Sequence, residues 1–173
     1  EFRRVLFRSS DRELGDGFNR VASVDARLKL NNNWITNMQV VGTDTAPLSG
    51  GDETTGYQRN IQINRTGRTV NTHSHFIETT DNFRTDLGFQ NRFFKPDTSG
   101  IHNSLNLNFY PETSNINSWT AGLFDVYLND TDGTRIYHQL GPNLQVNYAT
   151  TSFGVRYTDY AEILRPKDFA GIV

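Results

Sequence analysis

Apolar and polar residues alternate with a period of two along most of this chain, which is the pattern of strands with one apolar and one polar face. The clearest example is 101–110, where Leu105, Leu107 and Phe109 are separated by asparagines. Such stretches run longer than the usual strand of about 5–6 residues, and no helical periodicity lies between them. The pattern predicts an all-β antiparallel meander of about eight long strands. These span 18–30, 34–41, 57–65, 69–79, 101–110, 117–129, 135–148 and 153–157.

The connections between the predicted strands alternate in length. Short turns follow the first, third and seventh strands, and long or medium loops follow the second, fourth and sixth, including 42–56 and 81–100. The connection 111–116 is intermediate in length and departs from this rule. This alternation is typical of outer-membrane β-barrels, whose strands cross the bilayer with about 9–11 residues. Aromatic residues near strand ends would supply the interfacial girdles. They are Phe18, Trp34, Tyr57, Tyr110, Trp119 and Tyr148. We therefore expect a fragment of a transmembrane β-barrel.

Eight apolar residues at alternating strand positions are predicted to face lipid. They are Leu28, Ile61, Ile63, Leu105, Leu107, Phe109, Leu144 and Val146. Arg20, Arg59 and Arg65 fall on the same parity. They would have to lie at the barrel rims, because arginine at the bilayer midplane costs roughly 2–4 kcal/mol.

Two local features leave the alternation less regular. In 117–129, Asp125 favours an assignment of Phe124, Val126 and Leu128 to the lipid side. In 135–148, Gly141-Pro142 predicts a bulge or local break, because proline removes a ladder donor.

The composition fits a sheet with one apolar and one wet face. Hydrophobic residues make up 35% of the chain, below the roughly 45–50% of ordinary domains, whereas aromatics reach 12%. A net charge of −2 gives no reason to expect nucleic acid as a partner, and the absence of cysteine excludes disulfides. No run of about 18 apolar residues predicts a membrane-spanning helix.

Histidine and aspartate pairs are the nearest approach to a metal motif. His73 and His75 lie two apart on a strand and point the same way, but the sequence does not locate a third ligand. Asp130, Asp132 and Gly133 resemble the start of a calcium loop without its later ligands. We interpret the histidines as polar wall residues and the aspartates as a turn, and assign no metal site.

Candidate catalytic groups are limited to loop carboxylates, Asp81, Asp86 and Glu112, whose separation nothing in the sequence fixes. No phosphate-binding loop or nucleophile elbow is present. We therefore assign no catalytic residue and no cofactor to this segment, and favour a non-enzymatic role for it.

The first nine residues, Glu-Phe-Arg-Arg-Val-Leu-Phe-Arg-Ser, resemble the in-frame translation of a short-read sequencing adapter. Such a segment is left out of fold reasoning. The expected organisation is an artefact over 1–9 and a partial barrel domain over 10–173, truncated at both ends.

One stretch resembles a known family. It reads Phe83-Arg84-Thr85-Asp86-Leu87-Gly88-Phe89-Gln90-Asn91-Arg92 and is followed by an alternating strand and Tyr110-Pro111. It is similar to a Phe-Arg-x-Asp/Glu-Leu-Gly-Phe-x-x-Arg motif of an uncharacterised bacterial outer-membrane barrel family. Its matching residues are Phe83, Arg84, Asp86, Leu87, Gly88, Phe89 and Arg92. The resemblance implies that full-length members carry a secretory signal and an N-terminal family-nine carbohydrate-binding-like domain. Some members are described as membrane-associated hydrolases.

Two functional readings remain open. The first is a non-catalytic segment of an outer-membrane barrel in a Gram-negative-type bacterium, acting as pore, scaffold or carrier of an upstream carbohydrate-binding domain. Its partners would be outer-membrane lipid and, through that domain, glycans. The second is a soluble all-β domain that binds or hydrolyses glycans. Its apolar faces would pack between two sheets, and Trp34, Trp119 and the tyrosines would form a stacking platform for sugar.

Overall fold

The chain folds as a single antiparallel sheet of ten strands in the computed structural model, which describes residues 3–48, 50–86, 96–112 and 115–169. Eight of the strands are 10–15 residues long. The strands are β1 (Arg3–Leu14), β2 (Gly17–Lys29), β3 (Trp34–Ala46), β4 (Thr54–Arg65), β5 (Val70–Thr79), β6 (Thr98–Phe109), β7 (Ile116–Asp130), β8 (Arg135–Tyr148), β9 (Thr151–Arg156) and β10 (Asp159–Glu162).

The strands follow one another in the sheet in chain order from β1 to β8, and β9 and β10 both pair with the far side of β8. This arrangement confirms the predicted all-β antiparallel meander. The described strands leave two open edges, at β1 and at β9 with β10, so the sheet is not closed. Among these residues helical structure is limited to the 3₁₀ turn Pro166–Phe169. No helix in the described part of the chain has the length and apolar character needed to span a membrane.

The strand count differs from the predicted eight at the two ends of the chain. β1 pairs with β2 along its whole length and includes most of the segment that resembles an adapter translation. β10 overlaps the start of the region 161–173, where the sequence shows little alternation. A strand of four residues offers too short a pattern to recognise, but the backbone of β8 supplies its partners.

The loop predicted at 42–56 is shorter in the structure, because β3 and β4 extend into it. Thr43 pairs with Gly56 and Thr45 pairs with Thr54, so that only 47–53 connects the two strands. Threonine favours the extended backbone, and a polar residue on the wet face of a sheet does not interrupt it.

The break predicted at Gly141-Pro142 is found on one side of β8 only. Pairing with β7 continues through both residues without a register shift. On the other side, β8 pairs with β10 before this point and with β9 after it, and the Pro142 carbonyl accepts a hydrogen bond from Tyr157 N at 3.0 Å. Proline has no N–H to donate, so it lies where the neighbouring strand changes.

Pairing registers place each residue of the sheet on one of two faces, because directly opposite residues point the same way. One row across the sheet is apolar: Val5, Ala26, Met38, Ile61, Phe76, Ile101 and Tyr127. The adjacent row is mostly polar: Arg27, Asn37, Gln62, His75, His102, Val126 and Gln139. We name the two sides the apolar face and the polar face after these rows.

Burial differs between the two faces. Large hydrophobic side chains of the apolar face are exposed, as for Ile61 at 40%, whereas the polar face contains most of the buried residues, as for His75 at 8%. The exposed residues of the apolar face are Val5, Phe7, Val24, Met38, Val40, Tyr57, Ile61, Ile63, Ile101, Leu105, Phe109, Leu123, Leu140, Leu144, Tyr148, Phe153 and Val155. Leu28, Leu107 and Val146 lie on the same face and are partly exposed.

The assignment of faces in β7 from Asp125 was wrong. Asp125 pairs with Asn103 and lies on the apolar face, where its carboxylate accepts a hydrogen bond from Asn103 Nδ2 at 2.8 Å. Phe124, Val126 and Leu128 therefore lie on the polar face. The charge of Asp125 is satisfied by a cross-strand amide, which is a contact that the local sequence does not reveal.

A small apolar core lies on the polar face near the ends of β5, β7 and β8. It consists of Ile77, Leu128 and Ile136, with Tyr137 against it. A register shift between Leu128 and Asn129 adds one residue to β8 at this point. Such a bulge re-aims a side chain, and here it brings Ile136 into the core.

The segment after β10 is tied to two distant parts of the chain. The buried guanidinium of Arg165 donates to the carbonyls of Asp97 at 2.9 Å and Pro96 at 3.2 Å, and lies 3.3 Å from Asp130 Oδ2. Lys167 pairs with Asp97 and Asp130. Its hydrogen bond to Asp97 raises the pKa of Lys167, so the ammonium stays charged at neutral pH and holds both carboxylates.

We predict that Arg165→Met destabilises the chain by about 1–3 kcal/mol, because two backbone carbonyls lose their buried donor. The matched control is Arg156→Met, which removes an exposed arginine of β9 and is expected to cost less than about 0.5 kcal/mol. Urea unfolding of the chain in detergent micelles measures both. Equal losses in the two variants would contradict a specific role for Arg165.

Candidate functional site on the polar face

Amides, hydroxyls and imidazoles of neighbouring strands hydrogen-bond to one another across the polar face. Asn19 Nδ2 donates to Thr45 Oγ1 at 2.8 Å, and Gln58 Nε2 donates to Thr79 Oγ1 at 3.1 Å. At the other end of the face, Thr120 Oγ1 donates to Asn108 Oδ1 at 2.8 Å. Buried polar groups need such partners. Because the network supplies them, polar side chains pack closely on this face without a large desolvation cost.

The connection between β5 and β6 folds back onto the polar face. Phe83 is buried, 4% exposed, and its backbone lies directly over Gly56 of β4. A Cβ at position 56 would lie 2.4 Å from the Phe83 nitrogen, so glycine is required for this approach. The long loop therefore begins by covering β2, β3 and β4.

Asn19 of β2 holds this segment through its side-chain amide. Asn19 Nδ2 donates to the Arg84 carbonyl at 3.1 Å, and its Oδ1 accepts from Asp86 N at 3.1 Å. Arg84 N also donates to Thr43 Oγ1 at 3.4 Å, and Arg12 Nη1 lies 2.5 Å from Asp86 Oδ2. The amide of Asn19 thus replaces the backbone partners that a strand would have provided.

The family-like motif is placed in part by these contacts. Phe83, Arg84 and Asp86 form the docked segment, with Phe83 covered by the sheet and Asp86 paired to β1. The remaining motif residues, Leu87, Gly88, Phe89 and Arg92, lie outside the described residues. The sequence showed a motif in a loop but gave no signal for its docking onto Asn19 and Gly56.

Three histidines come together in the middle of the polar face. His75 of β5 is directly opposite His102 of β6, and His73 lies two residues before His75 on the same face. Their ring centroids are separated by 4.7 Å (His73–His102), 4.9 Å (His75–His102) and 5.9 Å (His73–His75). One nitrogen from each ring falls in a group whose atoms all lie within 4.8 Å of one another.

Hydrogen bonds orient two of the three rings. His73 Nδ1 lies 2.6 Å from Asn64 Oδ1, and His75 Nε2 lies 2.9 Å from Asn60 Oδ1. An amide oxygen only accepts, so each of these nitrogens carries the proton, and the lone pairs are on His73 Nε2 and His75 Nδ1. His73 Nε2 is 2.8 Å from His102 Nε2, which then donates to it. The asparagines of β4 thus fix the tautomers of both β5 histidines.

His102 is the residue that sequence reasoning missed. It lies 27 positions after His75, and only the pairing of β5 with β6 brings it across. Alternation in 101–110 assigns His102 to the face opposite that of Ile101, which is the one signal the sequence held for its position. Only the register between β5 and β6 brings His102 opposite His75.

The remaining candidate catalytic and metal-binding carboxylates do not come together in one site. Asp81 follows β5 and Glu112 follows β6, which places them at opposite ends of the antiparallel strands. Asp130 is engaged by Arg165 and Lys167, and Asp132 accepts from Thr134 N at 2.7 Å as part of a turn.

The two tryptophans do not form a joint stacking platform either. Trp34 begins β3 and Trp119 lies in β7, with three strands between them. Trp119 stacks on Phe109 at 3.8 Å between ring centroids.

Comparison with known proteins adds no identification: family models, curated proteins and solved structures all give no match to this chain.

We predict that Gly56→Ala destabilises the chain by about 1–3 kcal/mol, because the new methyl group displaces the backbone of Phe83 and loosens the docked segment. Gly42→Ala in the adjacent strand is the matched control, since no atom lies within 4 Å of a Cβ there. Chemical denaturation compares the two, and limited proteolysis within 81–86 reports on the segment itself. A Gly56→Ala chain as stable and as resistant as Gly42→Ala would contradict the docking.

Proposed function

We propose that this chain is a non-catalytic segment of a bacterial outer-membrane β-barrel, with its apolar face against lipid and its polar face lining a hydrated interior. The observation that carries the proposal is the exposure of large hydrophobic side chains along one face of eight long strands. Soluble monomers rarely expose contiguous apolar patches of more than a few hundred Å². Hydrocarbon is the solvent that this face matches.

Strand length supports the proposal. Eight strands of 10–15 residues reach or exceed the about 9–11 residues that a tilted strand needs to cross the bilayer. A spanning sheet must have no free edge in hydrocarbon, because unpaired N–H and C=O groups are costly there. The proposal therefore requires the edges at β1 and at β9 with β10 to be paired when the protein is in the membrane.

Arginine–aromatic pairs lie near the ends of the strands. Arg20 lies over Phe18 at 4.2 Å from the ring centroid, and Arg68 lies over Tyr110 at 4.9 Å near the opposite end. Aromatic rings with a nearby cation are favoured at the membrane–water interface, where the ring meets the headgroups and the charge reaches water. These pairs support two interfacial boundaries for the apolar face.

The arginines of the apolar face differ in how close they lie to the strand ends. Arg20 is near the start of β2 and lies 2.8 Å from Glu13, and Arg65 ends β4. Arg59 lies midway along β4, where a charge in hydrocarbon would be costly. It pairs with Glu78 at 3.0 Å, next to the end of β5, and contacts the Tyr57 hydroxyl. The guanidinium thus extends toward the same end as Arg20.

The resemblance of 83–92 to an outer-membrane barrel family leads to the same proposal from independent residues. It favours a role as pore, scaffold or carrier for an upstream carbohydrate-binding domain, with glycans as partners of that domain rather than of this sheet. The soluble glycan-binding alternative needs a second layer over the apolar face. The described residues form one layer only, and the two tryptophans are far apart.

We predict that Ile61→Arg destabilises the chain in lipid vesicles by about 2–4 kcal/mol, because it places a charge in hydrocarbon. The neighbouring substitution Gln62→Arg changes the polar face and is expected to cost less than about 1 kcal/mol, since an interior charge remains hydrated. Urea unfolding of both variants in the same vesicles gives the comparison.

Envelope fractionation of cells expressing the full-length gene provides the matching cellular measurement, with the outer membrane as the expected location. Recovery of the protein without detergent, together with equal effects of Ile61→Arg and Gln62→Arg, would contradict the proposal and favour the soluble domain.

A further inference from the structure

We infer that His73, His75 and His102 form a binding site for a divalent transition-metal ion, with Zn²⁺ as the ion that best matches three imidazoles. Each ring contributes one nitrogen to a group spanning no more than 4.8 Å, on adjacent hydrogen-bonded strands. The inference goes beyond the proposed membrane role and depends on the polar face alone.

The spacing of two of the three nitrogens requires only a small adjustment. Zinc–nitrogen bonds of about 2.0–2.1 Å in a tetrahedron place the nitrogens about 3.3 Å apart. His73 Nε2 and His102 Nε2 are 2.8 Å apart, so an ion between them has to separate them by about half an ångström. The His75 nitrogen lies within 4.8 Å of the other two and has to move closer to them when an ion binds.

The partners of the rings are those of a metal site. Metal-bound histidines usually donate their other N–H to an oxygen acceptor, which fixes the tautomer and the ring plane. Asn64 accepts from His73 and thereby leaves the Nε2 lone pair directed at His102; Asn60 accepts from His75. Metal binding requires His102 to carry its proton on Nδ1, which is a change of tautomer within a neutral ring.

The donor set selects the kind of ion. The group in the described residues contains three imidazoles and no carboxylate. Imidazole suits zinc, copper and nickel, whereas calcium and magnesium require oxygen ligands. Three protein nitrogens leave a fourth tetrahedral position for water or another ligand.

Apolar side chains flank the histidine cluster on one side. Phe124 lies beside His102, with 6.2 Å between ring centroids, and Val126 is directly opposite it in β7. These apolar neighbours restrict solvent on one side of the cluster. The arrangement lies near the middle of the sheet and so differs from adventitious histidines on an exposed loop.

The test is a Zn²⁺ titration of the 173-residue chain, folded in detergent micelles, in competition with a chromophoric chelator. We expect one Zn²⁺ per chain, no competition from Ca²⁺ or Mg²⁺, and loss of binding in His102→Gln and in His73→Gln. Asn64→Ala is expected to weaken binding by about 10–100-fold, as loss of a partner of a ligand histidine does.

His138→Gln is the matched control. His138 is the fourth histidine of the chain, lies on the apolar face and faces Asp159 at 3.3 Å. Its removal is expected to leave zinc affinity unchanged. Equal loss of affinity in His138→Gln and His102→Gln, or unchanged affinity in His102→Gln, would overturn the site.

X-ray absorption of the zinc-loaded wild-type chain tests the ligands without any substitution. The expected coordination shell contains three imidazoles. A shell of oxygen ligands, or no stoichiometric zinc in a folded wild-type chain, would refute the inference even if the histidine variants fail to fold.

Discussion

Inter-strand hydrogen bonding is the constraint on which the rest of this structure depends. Each ladder fixes which residue of a strand lies opposite which residue of the next, and a slip by one residue would transfer every side chain to the other face. The registers from β1 to β8 keep Ile61 in line with apolar partners and Gln62 in line with polar ones. Two chemically different surfaces follow from this agreement between neighbouring strands.

The side chains of the two faces have different surroundings. The polar face is covered in part by the docked segment at Phe83, and amides such as that of Asn19 hydrogen-bond to neighbouring hydroxyl and carbonyl groups there. The apolar face has no such cover among the described residues, and its side chains remain exposed. Burial of that face would contribute roughly 25 cal/mol per Å², a large stabilisation that only lipid or another protein layer can supply. This difference between the two faces is the basis for the proposed role as a segment of an outer-membrane barrel.

The same ladders create both of the specific features on the polar face. Gly56 and Asn19 lie in the strands on opposite sides of β3, and together they admit and hold the segment that contains Arg84 and Asp86. The pairing of β5 with β6 brings His102 opposite His75, where asparagines of β4 orient the β5 rings. Both features use side chains that the sheet has already aligned, and the first also requires the absence of a side chain at Gly56.

Alternation along single strands determined the fold class, the meander and the faces of most strands from sequence, because side-chain direction in a strand depends only on parity. It failed at Asp125, where a cross-strand bond to Asn103 satisfies a charge on the apolar face, and at β10, which is too short for a pattern. The tertiary structure alone decided the docking of Phe83, the bulge that turns Ile136 inward and the meeting of three histidines. These depend on the register between strands, which is a property of two segments at once and is absent from either segment taken alone.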